Sequence, residues 1–202
     1  MIIDQDRFNK TIASFDAANA EDPNIQIVDG FKQPKELIYA LRMSAMLDRF
    51  VDGASETLKL AARCQHIQRW KISRAIYPKT RVGYIQWRTR LRSFHAEIAE
   101  TILRKNAYDE RIIHDVCLLL KKENMQTNEE AQILEDVIVL VFLENDLEDF
   151  VQKHSEYDEV KFIEILRKIF NKMSIKGRNA ALTLIDLPPN LLSTIQKVIV
   201  LD

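Results

Sequence analysis

Residues 130–150, EAQILEDVIVLVFLENDLEDF, include the most apolar helical segment of the chain. Residues 137–143, VIVLVFL, are apolar around nearly two turns, so a helix here is expected to be buried on all sides. Glu135 and Asp136 stand directly before these residues, and Glu144 follows them. Burying an ionised carboxylate without a partner is costly. We therefore expect at least one of the three acids to be paired or bound to a cation.

The segments on either side also have the apolar spacing of helices. Only four glycines and five prolines occur in 202 residues, which argues against a many-stranded β fold. The sequence predicts one all-α domain, a helical bundle over residues 1–202. The expected helices cover about 5–19, 35–50, 55–70, 81–106 after Thr80, 110–123 after Asp109, 131–150 after a capping box at 127–130, 158–173, and a short last helix after Pro188 and Pro189; residues 21–34 and 72–80 are expected to be irregular.

Composition and cysteine content are those of an ordinary globular protein, with 47% hydrophobic and 29% charged residues. The first ten residues, MIIDQDRFNK, lack the features of a signal peptide. No segment approaches the roughly 18 apolar residues that span a bilayer. Cys64 and Cys117 have no partners at metal spacing and are read as core thiols. We expect a cytoplasmic protein without membrane contact.

The charges are polarised along the chain although the net charge is −1. Residues 58–95 contain no Asp or Glu, so we expect a basic face. The candidates for binding phosphate are Arg69, Arg81 and Arg88. Arg90 and Arg92 are interpreted as solvent-exposed surface residues. Aromatic residues interleave with these cations, a pattern that also fits RNA. The cations of this stretch are Lys59, Arg63, Arg69, Lys71, Arg74, Lys79, Arg81, Arg88, Arg90 and Arg92.

Four polar side chains fall at or beside inward-facing helix positions: His66, His95, Glu123 and Asp136. An anion at a helix C-terminus such as Glu123 is disfavoured by the helix dipole, so a metal or the side chain of Lys122 is expected beside it. Imidazole and carboxylate together suit zinc, manganese or iron. The alternative is that each histidine only hydrogen-bonds within a helical core.

The chain resembles a family known as domain of unknown function 4202, for which no activity is established. The segments that carry the resemblance, in the same order, are LAARCQHIQRW (60–70), YPKTRVGYIQWRTRLRSFHAEIAETIL (77–103), KKEN (121–124) and EAQILEDVIVLVFLENDLEDF (130–150).

A more distant resemblance is to the HD-domain metal-dependent phosphohydrolases. LAARCQHIQ is similar to their helix that gives an adjacent His and Asp to a metal, with Gln65 and His66 at those two positions. Tyr39 stands where HD proteins have an earlier histidine, and EAQILED places Asp136 at their last metal ligand. The resemblance implies an HD-like fold and a divalent metal held by His66, Asp136 and two further residues.

Those two further residues are His95 and Glu123, at places comparable to the added histidines of two-metal members. The resemblance implies catalytic roles for Glu123 and Asp136, and it places Tyr39 and Gln65 on the substrate side.

Two functions remain open from the sequence. One is a metal-dependent enzyme acting on a nucleotide or other phosphorylated molecule. The other is a decayed HD-like module that binds RNA, a nucleotide or a protein partner.

Overall fold

The computed structural model describes residues 3–123 and 127–200. The regular secondary structure of these residues is helical apart from one small antiparallel hairpin, so the all-α fold class is confirmed. The elements are α1 Gln5–Ala20, β1 Ile25–Val28, β2 Phe31–Pro34, α2 Lys35–Phe50, α3 Glu56–Arg63, two 3-10 turns at Arg69–Lys71 and Arg74–Ile76, α4 Arg81–Lys105, α5 Glu110–Lys121, α6 Glu129–Asn145, α7 Leu147–Lys153, α8 Glu159–Phe170, α9 Ile175–Thr183 and α10 Pro189–Val200. No helix in the described ranges is both long and apolar enough to cross a membrane.

Helix α6 lies in the middle of the packing, as its apolar sequence predicts. It contacts α2, α3, α5, α7 and α9. Val137, Leu140 and Val141 are fully buried, together with neighbours from α2 and α3. Burial of such side chains contributes roughly 1.5–3 kcal/mol each, so this helix organises the core.

Side-chain caps fix where most of the helices begin. Thr80 accepts a hydrogen bond from the Gly83 N–H, and Asp109 accepts one from Ile112, which confirms both predicted caps. Helix α6 departs from the prediction. Its cap is Asn128, which accepts from the Ala131 N–H, and it starts at Glu129.

The stretch expected to be irregular before α2 contains the β1–β2 hairpin. Asp29 and Gly30 have positive φ values of 51° and 81°, the backbone that a type I′ turn requires. The dipeptide Asp-Gly between short extended runs was the sequence signal for this hairpin. Strand β2 leads directly into α2, where the Glu36 N–H donates to Asp22 Oδ2 at 3.0 Å. The segment just before the hairpin is thereby fixed to the first turn of α2.

Helix α3 ends at Arg63, earlier than the sequence pattern predicted. Gln68 adopts a left-handed backbone (φ 51°), and its N–H donates to Asn19 Oδ1 at 2.9 Å. Arg63 is tied to α1 by two hydrogen bonds to Asp16 at 2.7 Å. Residues 64–72 therefore form an irregular segment packed against α1. His66 stands beyond the end of a helix and not in its middle.

Candidate functional site

A cleft of about 640 Å³ opens between α2, the irregular segment 64–72, α6, α7 and the hairpin. Its lining includes apolar side chains of α6, namely Ile138, Val139 and Phe142. Lysine and arginine outnumber aspartate and glutamate by seven to four among its described lining residues, so the cleft attracts anions. The seven cations are Lys35, Arg42, Arg69, Arg88, Lys122, Lys153 and Lys172, and the four acids are Glu36, Glu135, Asp146 and Asp149.

His66 lies at the polar end of this cleft, held between two flat groups. The Tyr39 ring stacks on it with 4.2 Å between centroids and 16° between planes. Arg69 Nη1 lies 3.0 Å from His66 Nε2 and 3.3 Å from Nδ1. A nitrogen this close to both ring nitrogens lies over the ring face, because in the ring plane the carbon between them would block it. The in-plane lone pair of the imidazole is therefore not consumed by Arg69.

The charge state of His66 follows from its surroundings. Burial, and then the cations Arg69 and Arg88, hold its pKa well below the ordinary 6.5, so the imidazole is neutral. Glu36 Oε2 lies 3.6 Å from His66 Nδ1. Burial raises the pKa of Glu36 to about 7, against the lowering effect of Arg69. A neutral histidine and a readily protonated carboxyl group thus share this end of the cleft.

Two arginines line the same end without acidic partners. Among the described residues, neither Arg69 nor Arg88 forms an ion pair with a carboxylate. The Arg69 guanidinium lies over the Trp87 ring at 5.3 Å, and Trp87 is fixed by a 3.0 Å hydrogen bond to the Ile72 carbonyl. The guanidinium nitrogens are therefore positioned by aromatic contacts and remain available to an anion.

Two buried polar atoms of cleft-lining residues lack a hydrogen-bond partner within residues 3–123 and 127–200. They are Tyr39 Oη and Gln65 Oε1. An unpaired buried polar group costs roughly 1–3 kcal/mol. Both atoms belong to side chains of the cleft wall, so this cost is carried at the edge of the cleft.

The acid of α6 that reaches the cleft is Glu135, one residue before the predicted Asp136. Glu135 is buried and pairs with Lys122, which confirms that at least one acid flanking the apolar run has a cationic partner. Burial lowers the pKa of Lys122, although Glu135 opposes this effect. Lys122 has a left-handed backbone (φ 58°) just past the end of α5.

Asp136 faces away from the cleft toward α9. Its carboxylate accepts from the Ser174 N–H at 2.8 Å, from Ser174 Oγ at 2.5 Å and from Gln132 Nε2 at 3.1 Å. Ser174 in turn caps α9 by accepting from the Gly177 N–H. In this structure Asp136 ties α6 to the beginning of α9, a helix that the sequence analysis did not separate.

The four predicted metal ligands are not brought together. His66 and His95 are neighbours, with ring centroids 5.8 Å apart, and His95 Nδ1 donates to the Ile67 carbonyl at 2.8 Å. Glu123 is exposed because the chain turns outward at Lys122. No group of three or more His, Cys, Asp or Glu in the described part of the chain is placed to hold a metal ion.

The residues as placed therefore do not fit zinc, manganese or iron, each of which needs several converging donors. The metal stays a prediction of the HD resemblance, and no step below depends on it.

Of the predicted substrate-binding residues, the cleft brings together Tyr39, Gln65, Arg69 and Arg88. Arg81 is exposed at the first position of α4 and does not line the cleft. Arg92, expected at the surface, is half-buried, and its Nε has no partner among described residues.

Sequence analysis missed Glu36, although a signal for it was present. Glu36 lies on the apolar stripe of α2 that continues through Ala40, Met43 and Leu47. A carboxylate at the end of such a stripe indicates a buried acid.

The cleft residues fall within a match to a known family. The family model described as Domain of unknown function (DUF4202) matches residues 9–195. The chain belongs to this family. No curated protein and no solved structure matches the chain, so the HD-like fold stays a prediction. The DUF4202 description gives no activity.

Proposed function

We propose that this DUF4202 protein binds a phosphorylated small molecule in the cleft, with Arg69 and Arg88 holding the phosphate. The main support is that both guanidinium groups line the cleft without a carboxylate partner among the described residues. Arginine N–H groups match phosphate oxygens in geometry and charge. Tyr39, whose ring stacks on His66, forms part of the wall at the same end.

The size and walls of the cleft favour a ligand larger than phosphate itself. About 640 Å³ lies within the range of small-molecule sites, which is roughly 300–1,000 Å³. Ile138, Phe142 and Ile169 provide apolar surface, and the Gln65 side chain forms part of the wall. A nucleotide combines the required phosphate, flat apolar face and donor groups, and it is our preferred ligand.

RNA is the second candidate, favoured by the segment that supplies both arginines. Residues 58–95 contain no acid and expose Lys71, Lys79 and Arg81. Ile76 and Val82 are 74% and 65% exposed in the same segment. In this reading the terminal phosphate of an RNA occupies the cleft and its backbone follows the cations.

We also retain the HD-like fold as a proposal, separate from HD metal chemistry. Its support is the contact between α3 and α6, the two helices to which the resemblance assigns the motif of His66 and the last aspartate. Gln65 stands at an HD histidine position, and its side chain lines the cleft.

The test is a thermal-shift and calorimetry panel of phosphate, nucleoside mono-, di- and triphosphates, sugar phosphates and short 5′-phosphorylated RNAs. A ligand at about 100 times its Kd stabilises the native state by about 2.7 kcal/mol, and the shift should weaken with salt. Arg88→Ala should raise Kd by roughly tenfold to a hundredfold, the effect of losing a charged hydrogen bond.

Arg81→Ala is the matched control, because this arginine is exposed outside the cleft. It should leave small-molecule binding unchanged. Weaker RNA binding in Arg81→Ala alone would favour the RNA reading. The absence of any ligand in the panel would count against the phosphate site.

A further inference from the structure

His66 combines three features that a phosphoryl-accepting histidine needs. Its side chain lines the cleft and is only 15% exposed. Its faces are covered by Tyr39 and Arg69, so the ring is oriented by packing. Arg69 Nη1 lies within 3.3 Å of both ring nitrogens, and Arg88 lines the same cleft.

We propose that His66 is a nucleophile that takes a phosphoryl group from the bound ligand, so that the cleft hydrolyses phosphoanhydrides without a metal. The inference rests on the proposed phosphate site and adds a reaction to it. Phosphoanhydrides are the preferred class because their leaving group departs as a weakly basic phosphate and needs no proton donor.

The local charges suit this role. The nucleophile is the in-plane lone pair of the imidazole, which Arg69, lying over the ring face, leaves free. Arg69 Nη1 lies 3.0 Å from Nε2, so a phosphoryl group held by the remaining N–H groups of that guanidinium is next to this nitrogen. Arg69 and Arg88 then stabilise the charge on the phosphoryl oxygens during transfer.

In the first step the Nε2 lone pair forms an N–P bond. The bond from phosphorus to the bridging oxygen breaks, and its electrons leave with the departing phosphate. Nδ1 keeps its hydrogen, and the ring becomes cationic. Glu36, with Oε2 3.6 Å from Nδ1, offsets this charge in its ionised form above about pH 7 and is a positioning residue.

In the second step the oxygen of a water molecule bonds to phosphorus and the P–N bond breaks. Its electron pair returns to Nε2, and the protons of the water leave with inorganic phosphate and solvent. The sum is hydrolysis of one phosphoanhydride by one water.

The test is to incubate the protein with acetyl phosphate, ADP or ATP in the presence of a chelator and to measure its intact mass. We expect the gain of one phosphoryl group that is lost in acid, retained in alkali and mapped to His66. His66→Ala and the better-packed His66→Gln should both lack the gain. His114→Ala is the control, because His114 is exposed on α5.

Phosphate binding measured by calorimetry separates the two proposals. If the wild type and His66→Gln bind phosphate but the wild type never gains mass, the nucleophile proposal is overturned and the binding proposal stands. If no phosphorylated probe binds, both proposals fall. Label on a residue other than His66 also overturns the assignment.

Glu36→Gln tests the positioning role. Phosphate binding should persist, whereas labelling of His66 should slow by about a hundredfold, a typical loss for one electrostatic contact in a transition state. Glu36→Asp should restore part of the rate. Equal labelling rates in the wild type and Glu36→Gln would remove Glu36 from the mechanism.

Discussion

Glu36 shows how far a single residue can be read from its sequence. Its place on the apolar stripe of α2 predicts burial, but its neighbour His66 is thirty positions away and comes from an irregular segment. Arg69 and Arg88 are predictable from their types and spacing as cations near His66. The stacking of Tyr39 and Arg69 on His66 depends on the early end of α3, which helical periodicity does not show.

The elevated pKa of Glu36 makes stability depend on pH. The folded state holds a proton up to about pH 7, while the unfolded state releases it near 4.5. The stabilisation from this proton is fully present below pH 4.5 and is lost as pH rises through 7. At pH 8 the ionised group costs about 3 kcal/mol, because each tenfold difference in proton affinity between the two states corresponds to roughly 1.4 kcal/mol.

Glu36→Gln should therefore unfold at a higher temperature than the wild type at pH 8, with the difference closing near pH 4.5. Melting curves across this range measure the gap. Glu148→Gln, on an exposed position of α7, should produce no pH-dependent gap. A gap for Glu36→Gln that stays constant with pH would contradict a buried carboxyl group with a raised pKa.

Among the helices, α6 is the one whose burial the sequence predicts most completely, because its apolar run leaves no polar face. The run does not predict the direction around the helix axis in which each flanking acid points. Glu135 and Asp136 differ by about 100° around the axis, so adjacent carboxylates enter different environments. Glu135 meets Lys122 at the cleft, whereas Asp136 meets Ser174 at the start of α9.

Asp136→Asn should destabilise the protein by about 1–3 kcal/mol, because an amide cannot accept all three hydrogen bonds. Chemical denaturation measures this loss, and ligand binding in the cleft should persist. Asp52→Asn, at an exposed loop position, is the control and should change stability by less than about 0.5 kcal/mol. Loss of ligand binding with unchanged stability would instead indicate that Asp136 belongs to the ligand-binding site.

Gly177→Ala tests the same junction from α9. A Cβ at this position would lie 2.5 Å from Asp136 Cγ, so the carboxylate would have to move. We expect a loss of about 1–3 kcal/mol, as for other overpacked sites, measured by the same denaturation experiment. A stability equal to the wild type would show that the junction is looser than the structure places it.

Across the whole molecule, the fold class follows from the sequence, whereas the site requires the packing. Helical periodicity is local and appears in every segment, but the convergence of side chains depends on how distant helices pack. Local sequence spacing puts each predicted ligand at or beside an inward-facing helix position. The four are His66, His95, Glu123 and Asp136. Glu123 lies just past the end of α5 and Asp136 faces α9, so of these four residues the two histidines are the ones that the structure brings together.

Elemental analysis follows from this placement. Protein purified without chelators should carry well below one zinc, manganese or iron per chain, because the donors do not converge. Stoichiometric metal that is lost in both His66→Ala and Asp136→Asn would contradict the placement and support the HD-like metal site.

The proposed function depends above all on the cleft being an anion site, and a crystal structure of the protein soaked in tungstate would show whether it is. Tungstate is a tetrahedral anion like phosphate, and its anomalous signal locates it without ambiguity. We predict one strong site in the cleft, within hydrogen-bonding distance of Arg69 and Arg88, and its loss in Arg88→Ala. An empty cleft at saturating tungstate, or anions bound only at exposed lysines outside it, would contradict the assignment of the cleft as an anion site.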